Sequence, residues 1–576
     1  MCDVVFITPN VTGKASGESI GTLQLATILE EKGVSCDILQ YFRIGDMREF
    51  DTFLENCIRL IEEKNPKIVS LYTRCDVYHI QLRIAQLVKE KWPHVYVLCG
   101  GPQSDISAEE TIRRIPWVDY VCCGEGENTI YPLVSSLLRG KPDLSVDGLV
   151  YRQGDQVIKN PRPAMIQDLD QLPILDYSLC QFQDEETEKK KRFPVDVGRG
   201  CPFGCTFCST KTFWGRNFRL KSPKRIVQEI ELLHKQYGKT RFSFSHDMFT
   251  FNRKKVKEVC ALLKELDFPV EWGCSARLDC IDRELIDVMV DAGMQGLFLG
   301  IETGSPRMQK LINKNLKLDR ALDIIGYMVE KGLSVAASFI YGFPEETEED
   351  LSQTIALIGQ ITQWRSVKVQ VHLCTFLMGT ELSERYRDEM TPVQTYSDIT
   401  GEYAIRECAD LIEAHPNLFL HMLEYKTEFR TKLRFFRDFI NVWQSELRPF
   451  YQYVSKTYPR DRLINMYYDF VEANQEALEH LSEIPREQSV DYLIAHDKMP
   501  DRFSGDENYD IIQDLYRFCR IKNSDAVRNG ENVTDMYCFD PSRIGKVPLQ
   551  AHTRCLAVVN WCGGKRTIAV YPLDDQ

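Results

Sequence analysis

Twice along the chain, short apolar runs alternate with stretches of helical periodicity, and a sequence of that kind has few ways to fold. In the first 150 residues the runs are VVFITP from Val4, CDILQYF, KIVSLYT and YVLCGGP. Between them, IGTLQLATILEEKG (closed by Gly33) and IQLRIAQLVKEKW read as amphipathic helices. Strands that alternate with helices of ten or more residues form parallel βαβ units, which predicts an α/β class and a Rossmann-like, doubly wound sheet. Ligands of such sheets lie at the carboxyl ends of the strands, here Thr8–Asn10, Thr73–Asp76, Gly100–Ser104 and Gly124–Glu127.

The alternation resumes from about 192 to 385, in VDVGRG, RFSFSHD, VEWGCSA, GLFLGIET, SVAASFIYGF and VKVQVHLCTF. Six strands at this spacing predict a partial (β/α)6 TIM-type barrel with its sites at the strand carboxyl ends. The divisions expected are therefore 1–150, a hairpin and connector over 151–190 (GLVYRQGDQVIKNPRP, with a GD turn), the barrel over 191–385, and 386–576. That last region reads as long, aromatic-rich helices (LFLHMLEYKTEFRTKLRFFRDFINVW) ending in two β-like runs, CLAVVNW and TIAVYP, around CGGK.

Charge and cysteine usage exclude several classes. With 71 basic and 84 acidic residues the net charge is −13, which argues against a nucleic-acid partner. No run approaches the ~18 uncharged apolar residues of a membrane span, and the first twenty residues lack a basic, then apolar, leader pattern. The 20 cysteines are scattered through strand-like runs rather than stapling a small core, so a reduced, cytoplasmic protein is expected.

One cysteine group stands apart: GRGCPFGCTFC places Cys201, Cys205 and Cys208 as C-x3-C-x2-C directly after a strand. Three thiolates on one loop hold three irons of a cubane cluster and leave the fourth iron open, while Gly198, Gly200 and Gly204 let the backbone wrap tightly. A structural zinc knuckle or a set of buried thiols are the alternatives; zinc usually takes four ligands in two pairs, and no second pair lies nearby.

The spacing, with Phe207 before the third cysteine, resembles the radical S-adenosylmethionine superfamily. The resemblance implies a [4Fe-4S] cluster on those cysteines, with S-adenosylmethionine chelating the open iron and yielding a 5′-deoxyadenosyl radical. Further segments match in order. FSFSHDMFTFNR supplies Asp247 for the methionine amino group, although His246 stands at the family's other acidic position. EWGCSARLD supplies Arg277 for a carboxylate or ribose, and LGIETGS supplies Glu302, Gly304 and Ser305 at a strand end. SFIYGFPEET, with Gly342 and Pro344, resembles the loop over adenine.

The N-terminal region resembles the cobalamin-binding domain of one branch of that superfamily. GGPQSD (Gly100, Gly101, Pro102, Gln103) stands for its GGPH-like turn and CCGEGENT (Gly124, Glu125, Gly126) for its GEGE turn. Arg74 would lie near the lower corrin face. The D-x-H-x-x-G pattern that supplies a histidine to cobalt is absent from the sequence.

This resemblance implies a cobalamin-dependent methyltransferase acting on an unactivated carbon, with cyclisation, rearrangement or cross-linking on the same cofactors as the alternative and a non-enzymatic iron–sulfur scaffold as the outsider. It also implies a reducing partner of flavodoxin or ferredoxin type. No residue is assigned as catalytic. A peptide or natural-product substrate is expected between the barrel mouth and the region beyond 386, where the β-like run from Thr553 to Pro572 could offer a sheet edge. Cys99, Cys122, Cys123 and Cys374 are expected to pack as small hydrophobes; Cys555 and Cys562, seven residues apart across a β-like turn, could form a substrate-processing or metal pair, the minority reading.

Overall fold

A computed structural model describes residues 2–9, 19–180, 192–392 and 404–505 except 446 and 485, a few residues from 512 to 516, and the backbone of three terminal strands. The first sheet has seven strands: β1 (Val4–Thr8), β2 (Cys36–Gln40), β3 (Ile68–Tyr72), β4 (Tyr96–Gly100), β5 (Tyr120–Cys122), β6 (Leu149–Gln153) and β7 (Gln156–Lys159). Their order is β2-β1-β3-β4-β5-β6-β7. The first five are parallel, as the alternation predicts. Because β1 has β2 on one side and β3 on the other, the crossovers diverge there and open a crevice at the carboxyl ends of β1 and β3.

The GD hairpin does not stand apart as a connector. It extends this sheet antiparallel, with Val121 opposite Val150. Gly148 (φ +77°) makes the junction: a Cβ there would collide with the Cys123 carbonyl, and the Cys123 N–H donates to the Gly148 carbonyl at 2.8 Å.

The second sheet is the partial barrel: β8 (Phe193–Asp196), β11 (Arg241–Ser245), β12 (Glu271–Ala276), β13 (Met294–Glu302), β14 (Ser334–Tyr341) and β15 (Val367–Leu373), all parallel in the order β15-β14-β13-β12-β11-β8. Two short strands, β9 (Gly198–Arg199) and β10 (Arg219–Leu220), form an antiparallel ladder flanking the cysteine loop. Alternate residues sort to two faces. Phe242, Phe244, Trp272, Leu297, Leu299, Val335 and Val369 join the core under the helices. The opposite parity turns Ser243, Ser245, Ser275, Phe298 and Ser338 inward, leaving Phe298 39% exposed.

Beyond the barrel the structure is helical but not in long helices. The segment expected as long helices breaks into β17 (Leu423–Tyr425), which pairs with β16 (Met390–Pro392), then the short helices Glu428–Lys432 and Phe436–Trp443. Thr427 stops any continuation because its side chain caps a new helix, accepting the Arg430 N–H at 3.0 Å. The aromatics here are internal: Phe439 packs on Trp443, Tyr467 and Phe470 at 5.3–5.7 Å between centroids, and all four are fully buried. They complete the barrel's outer core rather than face a substrate. Gln444 covers the barrel edge, donating to the Val369 carbonyl (2.8 Å) and accepting its N–H (3.0 Å) as a neighbouring strand would.

The two terminal runs are strands, β19 (Arg554–Cys562) and β20 (Lys565–Leu573), joined by an unforeseen β18 (Thr534–Phe539) in one antiparallel sheet. The side chains of Cys555 and Cys562 lie outside the described residues. Among the described residues, no helix is long and apolar enough to cross a membrane.

Candidate functional site

The cysteine loop follows β9 and is fastened on every side. The Thr206 N–H donates to the Ile312 carbonyl (3.0 Å), the Leu382 N–H to the Thr206 carbonyl (3.0 Å), and Asn313 Nδ2 to the Gly204 carbonyl (2.8 Å). Gly200 sits at φ +82°, where a Cβ would strike the Asn217 carbonyl; one on Gly204 would strike the Arg216 guanidinium. Phe207 packs edge-on against Phe343, 5.9 Å between centroids, tying this loop to the one that resembles the adenine loop.

Cys205 is buried while Cys201 and Cys208 are half-buried. Burial pushes the Cys201 thiol up to about 11; it also raises Cys205, opposed by the nearby Lys314 and Arg277 cations. Among the described residues, no group of three or more His, Cys, Asp or Glu side chains stands arranged to hold a metal ion; a structural zinc site would in addition need a fourth ligand beside these three cysteines. Three thiols on one glycine-tightened loop fit a cubane cluster.

Asp247 projects from the end of β11 beside this loop. Crowding by the surrounding protein raises its carboxylate, which hydrogen bonds from the Gly200 N–H and the Thr210 hydroxyl pull back; the residue is exposed and lines a cavity. His246 is a different kind of residue from the acid it replaces. Its Nδ1 accepts the Met248 N–H at 2.7 Å, so Nε2 carries the proton and faces the Arg219 carbonyl at 3.3 Å. Burial drives it down to about 4, so the ring is neutral with both nitrogens committed.

Glu302 ends β13 in the left-handed region (φ +71°), at a register shift between Gly300 and Glu302. Its Oε1 pairs with Lys314 Nζ at 2.8 Å, both residues being buried. The pair lies over Gly300, where a Cβ would strike Glu302 and sit 2.9 Å from Lys314 Nζ. Lys314 had no local signal in the sequence, because its partner lies across a helix and a turn. Ser305 is fully buried and acts in the scaffold instead of lining the cavity: it caps helix Pro306–Leu311 and donates to Asp350 at 2.6 Å. The Ser–Pro pair at a helix start is the signal that would have shown this.

A cavity of about 640 Å³ opens where the carboxyl ends of the two sheets meet. The N-terminal wall includes Gly21, Tyr72, Gly100, Gly101, Gly124 and Gly126 and the barrel wall Arg199, Thr210, Trp214, His246 and Asp247. Nothing lies within 4 Å of where a Gly100 Cβ would be, so this glycine leaves open space. Pro102, Glu125 and Cys122 also line it; Cys122 is thus a wall residue, whereas Cys99, Cys123 and Cys374 pack in the core as expected. Gln103 is buried, its amide donating to Met378 Sδ (3.0 Å) and the Leu418 carbonyl (3.1 Å), which clamps the N-terminal sheet to the far end of the barrel. Arg74 makes a two-point ion pair with Asp76, at 3.0 and 2.6 Å, and is not among the cavity's lining residues.

The two walls are bolted together by charge. Glu125 accepts from Arg199 (2.7 Å), Arg219 (2.8 Å) and the Ile166 N–H (2.6 Å), and Glu127 accepts from Arg199 at 2.5 Å. These donors hold the Glu125 carboxyl below its usual range against the effect of burial. Arg199 is two residues before Cys201, so the GEGE turn is anchored on the strand that launches the cysteine loop. The sequence displays both arginines, but nothing local marks partners 72 to 94 residues away.

Two family profiles, one after the other along the chain, identify a radical SAM protein with a B12-binding domain in front of its barrel. The radical SAM superfamily profile matches residues 195–358, and the B12 binding domain profile matches residues 10–134. The chain is 29% identical over 340 residues to an uncharacterized methyltransferase, PH0819, of Pyrococcus horikoshii, covering 59% of this chain and 72% of that one. It is 31% identical over 281 residues to an anaerobic magnesium-protoporphyrin IX monomethyl ester cyclase of Rubrivivax gelatinosus, and spans half of that protein's length and 47% of its own. The fold resembles the solved structure of the cobalamin-dependent S-adenosylmethionine radical enzyme OxsB, with a TM-score of 0.62 over 92% of this chain and 80% of OxsB at 15% identity.

Proposed function

We propose that the chain is a cobalamin-dependent radical SAM methyltransferase acting on an unactivated carbon of a natural-product or peptide substrate. The observation that carries this reading is the shared cavity: one wall is the glycine-rich end of the B12-binding sheet, and the other holds Asp247 and the strand that launches the cysteine loop. In this reading Cys201, Cys205 and Cys208 hold a [4Fe-4S] cluster, and the turns at Gly100–Pro102 and Gly124–Gly126 hold the corrinoid. When bound, the cluster supplies the electron that cleaves the sulfonium of S-adenosylmethionine, and the corrinoid supplies a methyl carrier.

The chain's own residues orient and enclose. Asp247 receives the methionine amino group. Phe213 and Trp214, which line the cavity between the two walls, exclude water from a radical. The Glu125–Arg199 contact fixes the gap between the walls. Because the aromatics of 436–470 are internal, a compact natural product suits the mouth better than an extended peptide. A low-potential flavodoxin or ferredoxin would reduce the cluster.

Similarity to the cyclase supports a second reading, cyclisation or rearrangement on the same cofactors. Anoxic purification with iron and corrinoid counting tests both, followed by incubation with [methyl-13C]S-adenosylmethionine and titanium(III) citrate. About four irons and one corrinoid per chain, with label passing to the corrinoid, are expected. Bound corrinoid that acquires no label while 5′-deoxyadenosine forms would overturn methyl transfer in favour of the second reading.

A further inference from the structure

Arg277, which the resemblance marks for a carboxylate or ribose, is committed elsewhere. Its Nε and Nη2 donate to the two carboxylate oxygens of Asp279 at 3.0 Å each, and Nη2 also donates to the Lys314 carbonyl at 2.7 Å. Nη1 points at Cys205 Sγ, 3.9 Å away. The guanidinium lies flat on Phe203 of the cysteine loop, 3.7 Å from the ring centroid, and the residue is only 5% exposed. Four of the five guanidinium N–H groups are therefore placed, which leaves one for any incoming carboxylate. An arginine pinned at both ends of its fork and stacked on the loop is a fixed, not a mobile, donor.

We propose that Arg277 is a positioning residue that tunes the cluster, donating an N–H···S bond to the Cys205 sulfur and raising the cluster's reduction potential. The inference rests on the reading of Cys201, Cys205 and Cys208 as cluster ligands. Its physical basis is general: one-electron reduction adds negative charge to the cluster and its sulfurs, so a donor and a buried cation beside one sulfur stabilise the reduced form. The buried Lys314 is paired with Glu302 at 2.8 Å as Arg277 is with Asp279; what sets Arg277 apart is the Nη1 placed on Cys205 Sγ.

The test is an anoxic redox titration of the iron-loaded protein, monitored by electron paramagnetic resonance without S-adenosylmethionine, on wild type, Arg277→Gln and Arg277→Lys. The midpoint is expected to move to more negative potential in both variants, further in Arg277→Gln because the charge is lost as well. Affinity for S-adenosylmethionine, read from its perturbation of the reduced-cluster spectrum, should stay within about twofold. An unchanged midpoint overturns the proposal, and binding weakened tenfold alongside it would restore the carboxylate role.

A second measurement needs no variant. In wild-type protein labelled with guanidino-15N arginine, electron spin echo modulation of the reduced cluster should show a 15N coupling, and its absence overturns the assignment. Wild-type protein that binds no iron would overturn the cluster reading itself, whereas iron-loaded protein without a shift or coupling overturns only the role of Arg277.

Discussion

Gly101 gives the sharpest test of how the cavity wall is built. Its backbone lies at φ +109°, ψ 172°, a region open essentially to glycine alone, and forcing alanine into it costs about 1–3 kcal/mol. A Cβ there would also lie 2.7 Å from the Thr73 carbonyl oxygen, 3.0 Å from the Thr73 nitrogen and 3.1 Å from Tyr72 Cε2. Two of those neighbours are backbone at the end of β3, so β3 and β4 must part by about half an ångström, an overpacking of roughly 1–3 kcal/mol. Gly33 is the matched control in the same sheet's first crossover: it too has positive φ (+78°), but nothing lies within 4 Å of its Cβ position. Gly33→Ala should therefore cost only about 1 kcal/mol, against roughly 2–6 for Gly101→Ala. At about 2–4 °C per kcal/mol for a unit of this size, the central difference of about 3 kcal/mol should lower the first transition in calorimetry roughly 6–12 °C further in Gly101→Ala than in Gly33→Ala. The displaced turn should also lose corrinoid in equilibrium dialysis with hydroxocobalamin. Equal melting temperatures for the two variants would refute the argument that close backbone approach, not positive φ alone, demands glycine at 101.

Other outcomes follow from the same geometry. Glu125→Gln leaves Arg199 and Arg219 without their shared buried counter-charge, a loss of about 3–5 kcal/mol; it should speed proteolysis between residues 161 and 192, and an unchanged cleavage rate would count against the bolt. Burial lifts the Glu346 carboxyl from 4.5 to about 8, so the group is protonated in the folded chain at neutral pH and its stability contribution, full below pH 4.5, is lost as pH rises towards 8. That is about 3 kcal/mol by pH 7, at about 1.4 per unit, and Glu346→Gln should melt above wild type at pH 8 and level with it at pH 4.5; parallel pH profiles would refute it. Since both His246 nitrogens are committed to backbone groups, the cob(II)alamin form should show no protein imidazole coupling by electron paramagnetic resonance; a nitrogen triplet from a histidine would overturn that expectation.

What the sequence displayed and what it hid divide along a physical line. Periodicity is local, so the parallel strands of both sheets could be read from runs such as KIVSLYT and SVAASFIYGF, and three cysteines on one short loop carry their chemistry with them. Pairing is not local. Nothing in GLVYRQGDQVIKNPRP says whether its hairpin stands alone or joins an edge; that depends on Gly148 allowing a close approach to Cys123, a contact between segments 25 residues apart. The same holds for charge. Arg74 and Asp76 are neighbours, and their ion pair is visible in TRCD, whereas the partners of Arg199, Glu302 and Gln103 exist only once two sheets and a C-terminal segment have met.

The motif-based assignments separate by the same rule. Gly100, Gly101, Gly124 and Gly126 act through backbone shape, which the turn sequence dictates, and all four line the cavity. Ser305 and Arg277 were marked by resemblance of side chains, and side chains go where the nearest unsatisfied partner is. For Ser305 that partner was the helix it begins, together with Asp350; for Arg277 the partners were Asp279, the Lys314 carbonyl and the cysteine loop. A turn glycine's backbone conformation is visible in its own segment even where a neighbour such as Thr73 adds to the demand for it, while an arginine's role is settled only when all of its donors have been placed.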